Sequence, residues 1–256
     1  MKKEGKRVKM HPEFLKLGSF VIYWYGVLIA AAVFICSLIV QNNAARRGYS
    51  PELMSRIVFW TILWGIIGGR SLHVLVQAPY YYRHPLEILS LRNGGLAVEG
   101  AVIAALAFLC IYSEIRRFNL LEMLDIVALP VPLGQALGRL GCFMNGCCYG
   151  KPTDSFLGVK FPQLAEKVHP TQLYYSITYV LLFFVLRMLY RRRLKPGVVF
   201  STYILGFALT RYIIDMLRGD LLATEFGLYP TQIIGVVLFI MGTISLLSVL
   251  GKRDKS

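Results

Sequence analysis

The chain is 256 residues long, 56% hydrophobic and only 16% charged. Soluble domains carry roughly 25% charged residues, so this composition excludes an ordinary water-soluble globular protein and fits a membrane-embedded one. The formal net charge of +14 comes from basic residues flanking apolar segments, which points to membrane lipid head groups and away from nucleic acid.

A helix needs about 20 apolar residues to cross a bilayer, and seven stretches approach that length. The expected fold is all-α: a polytopic membrane protein with about seven transmembrane helices in one bundle. Residues 1–256 form a single integral-membrane domain in this reading. A basic tail over 1–18 carries no convincing signal-peptide core. The first span follows over 19–40, with Tyr25 in Trp24-Tyr25-Gly26 at an interface position.

The second span, 57–77, holds Gly65, Gly68 and Gly69 directly before Arg70. The glycines predict a close helix contact. Arg70 reads either as a structural or snorkelling residue or as a lipid-phosphate ligand. The tyrosine-rich loop over 78–94 reads as an interfacial connection. The third span, 95–112, opens on Glu99. That carboxyl group suits general-base work, or else pairs with an arginine at the interface.

The fourth span, 125–144, is the most informative. Pro130 and Pro132 predict a kink. Gly134, Gly138 and Gly141 form a bare stripe on one helix face, open to another backbone or a lipid head group. Arg139 lies inside this glycine-rich run of sequence, and a charge at membrane depth marks a functional site. The loop over 145–172 is the longest and is expected to be an extramembrane cap. It starts on Asn145 and contains Gly150 and His169-Pro-Thr-Gln-Leu-Tyr174. Thr171 and Gln172 are expected to cap the next helix.

The fifth, sixth and seventh spans are expected over 173–189, 198–217 and 229–250. Arg211, Asp215 and Arg218 share one face of the sixth. Two guanidinium groups around one carboxylate leave a net positive site, suited to a phosphodiester or else forming a salt-bridge ladder. Twelve Lys and Arg in the odd-numbered loops and C-terminus, against six in the even-numbered loops, favour a cytoplasmic C-terminus. Six more in the N-terminal tail oppose that orientation.

Five cysteines occur. Cys36 and Cys110 read as small core residues. Cys142, Cys147, Cys148 and His169 have the ligand types of a zinc site, but the 142–147 spacing is loose and the adjacent pair awkward. Small packing residues is the reading taken, with a redox pair as another, and no metal is expected.

Taken together, these segments resemble the prolipoprotein diacylglyceryl transferase family. The matching pieces are Trp24-Tyr25-Gly26, Gly68-Gly69-Arg70, His84-Pro85-Leu86, Gly94-Gly95-Leu96, Gly134-Gln-Ala-Leu-Gly-Arg-Leu-Gly141, Asn145-Gly146, Tyr149-Gly150, His169-Pro-Thr-Gln-Leu-Tyr174, and Arg211 with Arg218. The resemblance implies a seven-span enzyme of the bacterial plasma (inner) membrane, active in lipoprotein biosynthesis. It would move a diacylglyceryl group from phosphatidylglycerol to the lipobox cysteine of a prolipoprotein signal peptide, with no cofactor.

By the same resemblance, Arg139 and Arg211 match essential arginines, and Tyr25 and Asn145 match site-lining residues. Gly141, Gly150, Arg218, Arg70 and His169 join them as candidate substrate-binding residues, with Glu99 as the candidate base. The sequence departs from the family pattern in carrying Glu99 for a histidine, Cys142 for an asparagine, and Cys147 and Tyr175 for two glutamates. Two further readings stay open: a paralogue using the same lipid site for another acceptor, and a non-catalytic lipid-binding protein.

Overall fold

A computed structural model describes residues 12–18, 20–90, 94–220 and 229–251. The basic tail over residues 1–11, together with Arg92 and Asn93, lies outside the described residues. Nine α-helices occur among the described residues: α1 Trp24–Ala45, α2 Pro51–Val76, α3 Ala78–Arg83, α4 Val98–Arg116, α5 Leu120–Ala128, α6 Val131–Asn145, α7 Thr171–Arg191, α8 Val198–Asp215 and α9 Pro230–Gly251. Seven helical segments are long and apolar enough to span a membrane, with α5 and α6 together forming the fourth. The protein is a multi-pass, all-α membrane protein, and each span falls at one of the seven expected places.

One feature of the N-terminal region differs from expectation. Strands β1 Glu13–Leu17 and β2 Phe20–Tyr23 pair antiparallel before α1 begins. Gly18 makes the turn at φ +59°, a backbone angle that glycine adopts without penalty. Residues 20–23 are apolar, and an apolar run does not by itself distinguish a strand from the start of a helix. The loop over 78–94 likewise holds α3 and a 3₁₀ turn, Pro85–Leu89.

The chain divides into two compact units. One is Val40–Met123; the other joins the chain up to Ile39 with the chain from Leu124 onward. In the first unit α2 packs on α4. Gly68 and Gly100 make this crossing possible. A Cβ built on Gly68 would lie 2.5 Å from the Gly100 carbonyl oxygen, so neither position has room for a side chain. This is the close contact that the glycines of the second span predicted.

In the second unit α6 packs on α7, α7 on α8, and α8 on α9. Half of the α5–α6 span is buried, against 11% for α1 and 17% for α9, so this span is the interior one. The expected kink is a break at Pro130, with Pro132 in the first turn of α6. Asp125 is buried on α5, and its carboxylate accepts the N–H groups of Gly197 (2.8 Å) and Phe200 (2.7 Å). A carboxylate at a helix N-terminus satisfies its orphan donors and complements its dipole, so Asp125 fixes where α8 starts.

Candidate functional site

The second unit gathers most of the residues singled out from the sequence. The glycine stripe of α6 receives α1. A Cβ at Gly134 would meet Cys36 Sγ at 3.1 Å, one at Gly138 would meet Ile29 at 3.5 Å, and one at Gly141 would meet the Tyr25 ring at 2.9 Å. The bare stripe therefore seats a neighbouring helix and holds Tyr25 beside the end of α6 that carries Arg139.

Arg139 is half-buried, and its guanidinium lies 4.3 Å above the ring centroid of Tyr175 on α7. Cation–π contacts contribute about 0.5–2 kcal/mol, rising as water is excluded. The Tyr175 hydroxyl donates to Asp215 at the end of α8. Asp215 is completely buried and faces two arginines, with Arg211 Nε at 3.5 Å and Arg218 Nη1 at 3.8 Å. A buried carboxylate persists only when paired and hydrogen-bonded, and Tyr175 and these arginines meet that need.

The three arginines are thus connected through Tyr175 and Asp215. Arg218 also grips Asp220 in a fork, at 2.8 and 2.6 Å. Burial opposes the Arg218 charge. Asp220, through its hydrogen bond and its charge, outweighs burial and holds the Arg218 pKa above its ordinary value. Among the described residues, Arg139, Arg211 and Arg218 set against Asp215 and Asp220 leave one net positive charge. Among the described residues Arg211 has only a long contact to Asp215 and lies 5.7 Å from the Phe207 ring, which leaves most of its five donors without a partner there.

The loop over 145–172 is tied to the same place. Gly146 at φ +69° ends α6, with the Gly146 and Cys147 N–H groups returning to Phe143 and Cys142 carbonyls. Gly150 has no room for a side chain. A Cβ there would meet His169 Cβ and the Leu217 carbonyl at 2.7 Å each. The backbone pairs residue 150 with residue 218 and so holds the loop against the Arg218 end of α8. Gly150 therefore places this loop by its backbone.

Asn145 is exposed, with its amide 3.8 Å from Cys147 Sγ. His169 is half-buried, and its Nδ1 lies 3.2 Å from the Tyr174 hydroxyl. Thr171 and Gln172 do not cap α7 as expected. Thr171 Oγ1 donates to the Cys148 carbonyl at 2.7 Å, and Gln172 Nε2 donates to the Cys147 carbonyl at 2.6 Å. Both side chains are fully buried, and they act as struts under the cysteine loop. The thiols of Cys142, Cys147 and Cys148 all lie within 4.8 Å of one another.

Arg70 and Glu99 belong to the other unit. All five N–H donors of Arg70 are used. They go to the carbonyls of Glu87, Ile88, Ser90, Gly94 and Gly95, at 2.5 to 2.9 Å. Arg70 thus ties down the interfacial loop and keeps no donor for a phosphate. Glu99 is exposed in the first turn of α4 and has no hydrogen-bond or ion-pair partner among the described residues.

Sequence reasoning passed over Tyr175 except as a departure from a family pattern. The available signal was the pair Tyr175 and Tyr179, one turn apart on α7. Their rings stack at 5.6 Å and line the face toward Arg139.

The sequence model described as prolipoprotein diacylglyceryl transferase matches residues 12–248. Three similar proteins carry the name phosphatidylglycerol–prolipoprotein diacylglyceryl transferase. The one from Clostridium tetani is 34% identical over 91% of this chain and 95% of its own length. Its counterpart from Symbiobacterium thermophilum is 34% identical over 92% and 91%. The one from Cupriavidus metallidurans is 32% identical over 90% and 94%.

Proposed function

We infer the reaction from one premise: the chain belongs to the prolipoprotein diacylglyceryl transferase family. It is a membrane transferase that moves a diacylglyceryl group from phosphatidylglycerol to a prolipoprotein. The acceptor atom is the thiol sulfur of the lipobox cysteine, presented by the signal peptide in the bacterial plasma membrane.

Attack on the glyceryl carbon expels glycerol phosphate, so negative charge builds on the departing phosphate oxygen. Fixed cations placed at that oxygen lower the barrier more than water does, because they need no reorganisation. Arg139 and Arg211 hold the phosphate, and Arg218 adds field strength from its fork with Asp220. Tyr175 and Asp215 keep the guanidinium groups in place without neutralising all of them. Tyr25 and Asn145 line the acceptor side, with Gly141, Gly150 and His169 setting the walls. Glu99 is exposed, without an ion-pair partner among the described residues, and belongs to the other unit, so no step at this site is assigned to it. Arg70 serves the interfacial loop.

The arrangement of Arg139, Arg211 and Arg218 about the Tyr175–Asp215 pair carries this reading. Expression in cells depleted of their own transferase tests it. Diacylglycerylated prolipoprotein is expected. Persisting unmodified precursor, with the protein correctly inserted, would overturn the assigned acceptor.

A further inference from the structure

We propose that Cys142, Cys147 and Cys148 form a three-thiolate zinc site whose open fourth position takes the acceptor thiol. The inference rests on the transferase reading above for the identity of that fourth ligand. The metal site itself rests on geometry alone.

Adjacent cysteines on an extended backbone point apart, which makes them poor partners for one ion. Here Cys148 sits at φ +62°, a left-handed angle that non-glycine residues seldom adopt. The turn brings Cys147 and Cys148 Sγ to 3.9 Å. Cys142 approaches from the last turn of α6, and all three sulfurs lie within 4.8 Å of one another. Zinc–sulfur bonds of about 2.3 Å in tetrahedral geometry set ligand sulfurs ~3.8 Å apart. The trio therefore needs shifts of at most about 1 Å to close on one ion.

The loop that carries the thiols is rigidly held. The buried Thr171 and Gln172 side chains fix the Cys148 and Cys147 carbonyls. Each of the three cysteines is only half-buried, which leaves room for a fourth ligand. His169, the fourth ligand type available nearby in sequence, is turned to Tyr174 instead. Three protein ligands with one vacant position is the pattern of a reactive zinc, whereas four closed ligands mark a structural one. Sulfur ligation selects zinc over magnesium or calcium. Arg139 stands one turn before Cys142 on the same helix face, so the donor phosphate and the metal-bound sulfur meet across one turn of α6.

The step balances without an oxidant. The acceptor thiol binds zinc, displaces water and releases its proton to solvent. The zinc-bound thiolate sulfur attacks the glyceryl carbon. A C–S bond forms, the C–O bond to phosphate breaks, and the electron pair leaves on glycerol phosphate. The thioether product is a weaker ligand than a thiolate and gives way to water.

The test uses the purified full-length protein in detergent with a non-chelating reductant. Zinc content is measured by mass spectrometry and affinity by competition with a chromophoric chelator. One zinc per chain is expected, with stoichiometric binding lost in Cys142→Ser, Cys147→Ser and Cys148→Ser and retained in Cys36→Ser and Cys110→Ser. With cobalt in place of zinc, a lipobox peptide should strengthen the thiolate-to-metal charge-transfer band, and the same peptide with serine for cysteine should not. Absence of stoichiometric zinc, or equal binding by a triple Cys→Ser variant, overturns the site. An unchanged cobalt spectrum on adding the peptide overturns the fourth-ligand role. Lipid transfer at full rate by zinc-free protein overturns the inference and leaves the transferase reading standing. Zinc held by the three thiols without any lipid transfer upholds the site and removes that reading.

Discussion

Tyr175 contacts two charges at once: its ring carries the Arg139 guanidinium at 4.3 Å, and its hydroxyl donates to Asp215. Removing the hydroxyl alone leaves a buried carboxylate short of one donor, at a cost of about 1–3 kcal/mol. Tyr175→Phe should therefore insert normally and transfer lipid ~10-fold more slowly, with kcat falling and KM for the lipid nearly unchanged. Tyr175→Leu should lose the ring contact as well and fall further. Single-turnover rates with phosphatidylglycerol vesicles make the comparison.

Arg139 and Arg211 are expected to grip a phosphate through paired donors, which lysine does not reproduce. Charged hydrogen bonds contribute about 1.5–3 kcal/mol each. Arg139→Lys and Arg211→Lys should lower kcat/KM by roughly 10- to 100-fold at unchanged protein level. Equal rates for wild type and both variants would remove the phosphate role.

Arg70 gives a contrasting outcome, because its five donors all go to backbone carbonyls. Arg70→Lys should make the 85–95 loop an early site of limited proteolysis and lower thermal stability in detergent. KM for phosphatidylglycerol, measured on the inserted protein, should stay close to wild type. A large KM increase with an intact loop would return Arg70 to the lipid site.

The crossing of α2 and α4 depends on two positions without side chains. Gly68→Val and Gly100→Val each force a methyl-bearing carbon into a space of under 3 Å. Overpacking of this kind costs about 1–3 kcal/mol or more. Both variants should show a lower unfolding temperature by scanning fluorimetry, and Gly65→Ala, with its nearest neighbour at 3.7 Å, should not.

The spans were legible because bilayer thickness dictates a long apolar run, and the break at Pro130 because proline lacks the donor a helix interior needs. The pairing of Arg211 with Asp215 was legible from helical spacing, whereas Arg218, expected on the same helix face, lies past the end of α8 in a bridge to Gly150 and reaches Asp215 from there. Three features were hidden for separate reasons. The Tyr175–Asp215 bond joins residues 40 apart in sequence, and no local pattern encodes such a meeting. The gathering of thiols depends on a left-handed angle at Cys148, which a cysteine does not announce as a glycine would. Arg70 was ambiguous because its partners are backbone carbonyls, present at every residue whatever the side chains.

The most direct measurement is the mass of a synthetic lipobox peptide after incubation with the purified protein and phosphatidylglycerol vesicles. A gain equal to one diacylglyceryl group on the cysteine sulfur is expected, with release of one glycerol phosphate per peptide and strong slowing in Arg139→Lys. A peptide that stays unmodified beside correctly folded protein, or is modified equally well by that variant, would contradict the role given to these arginines.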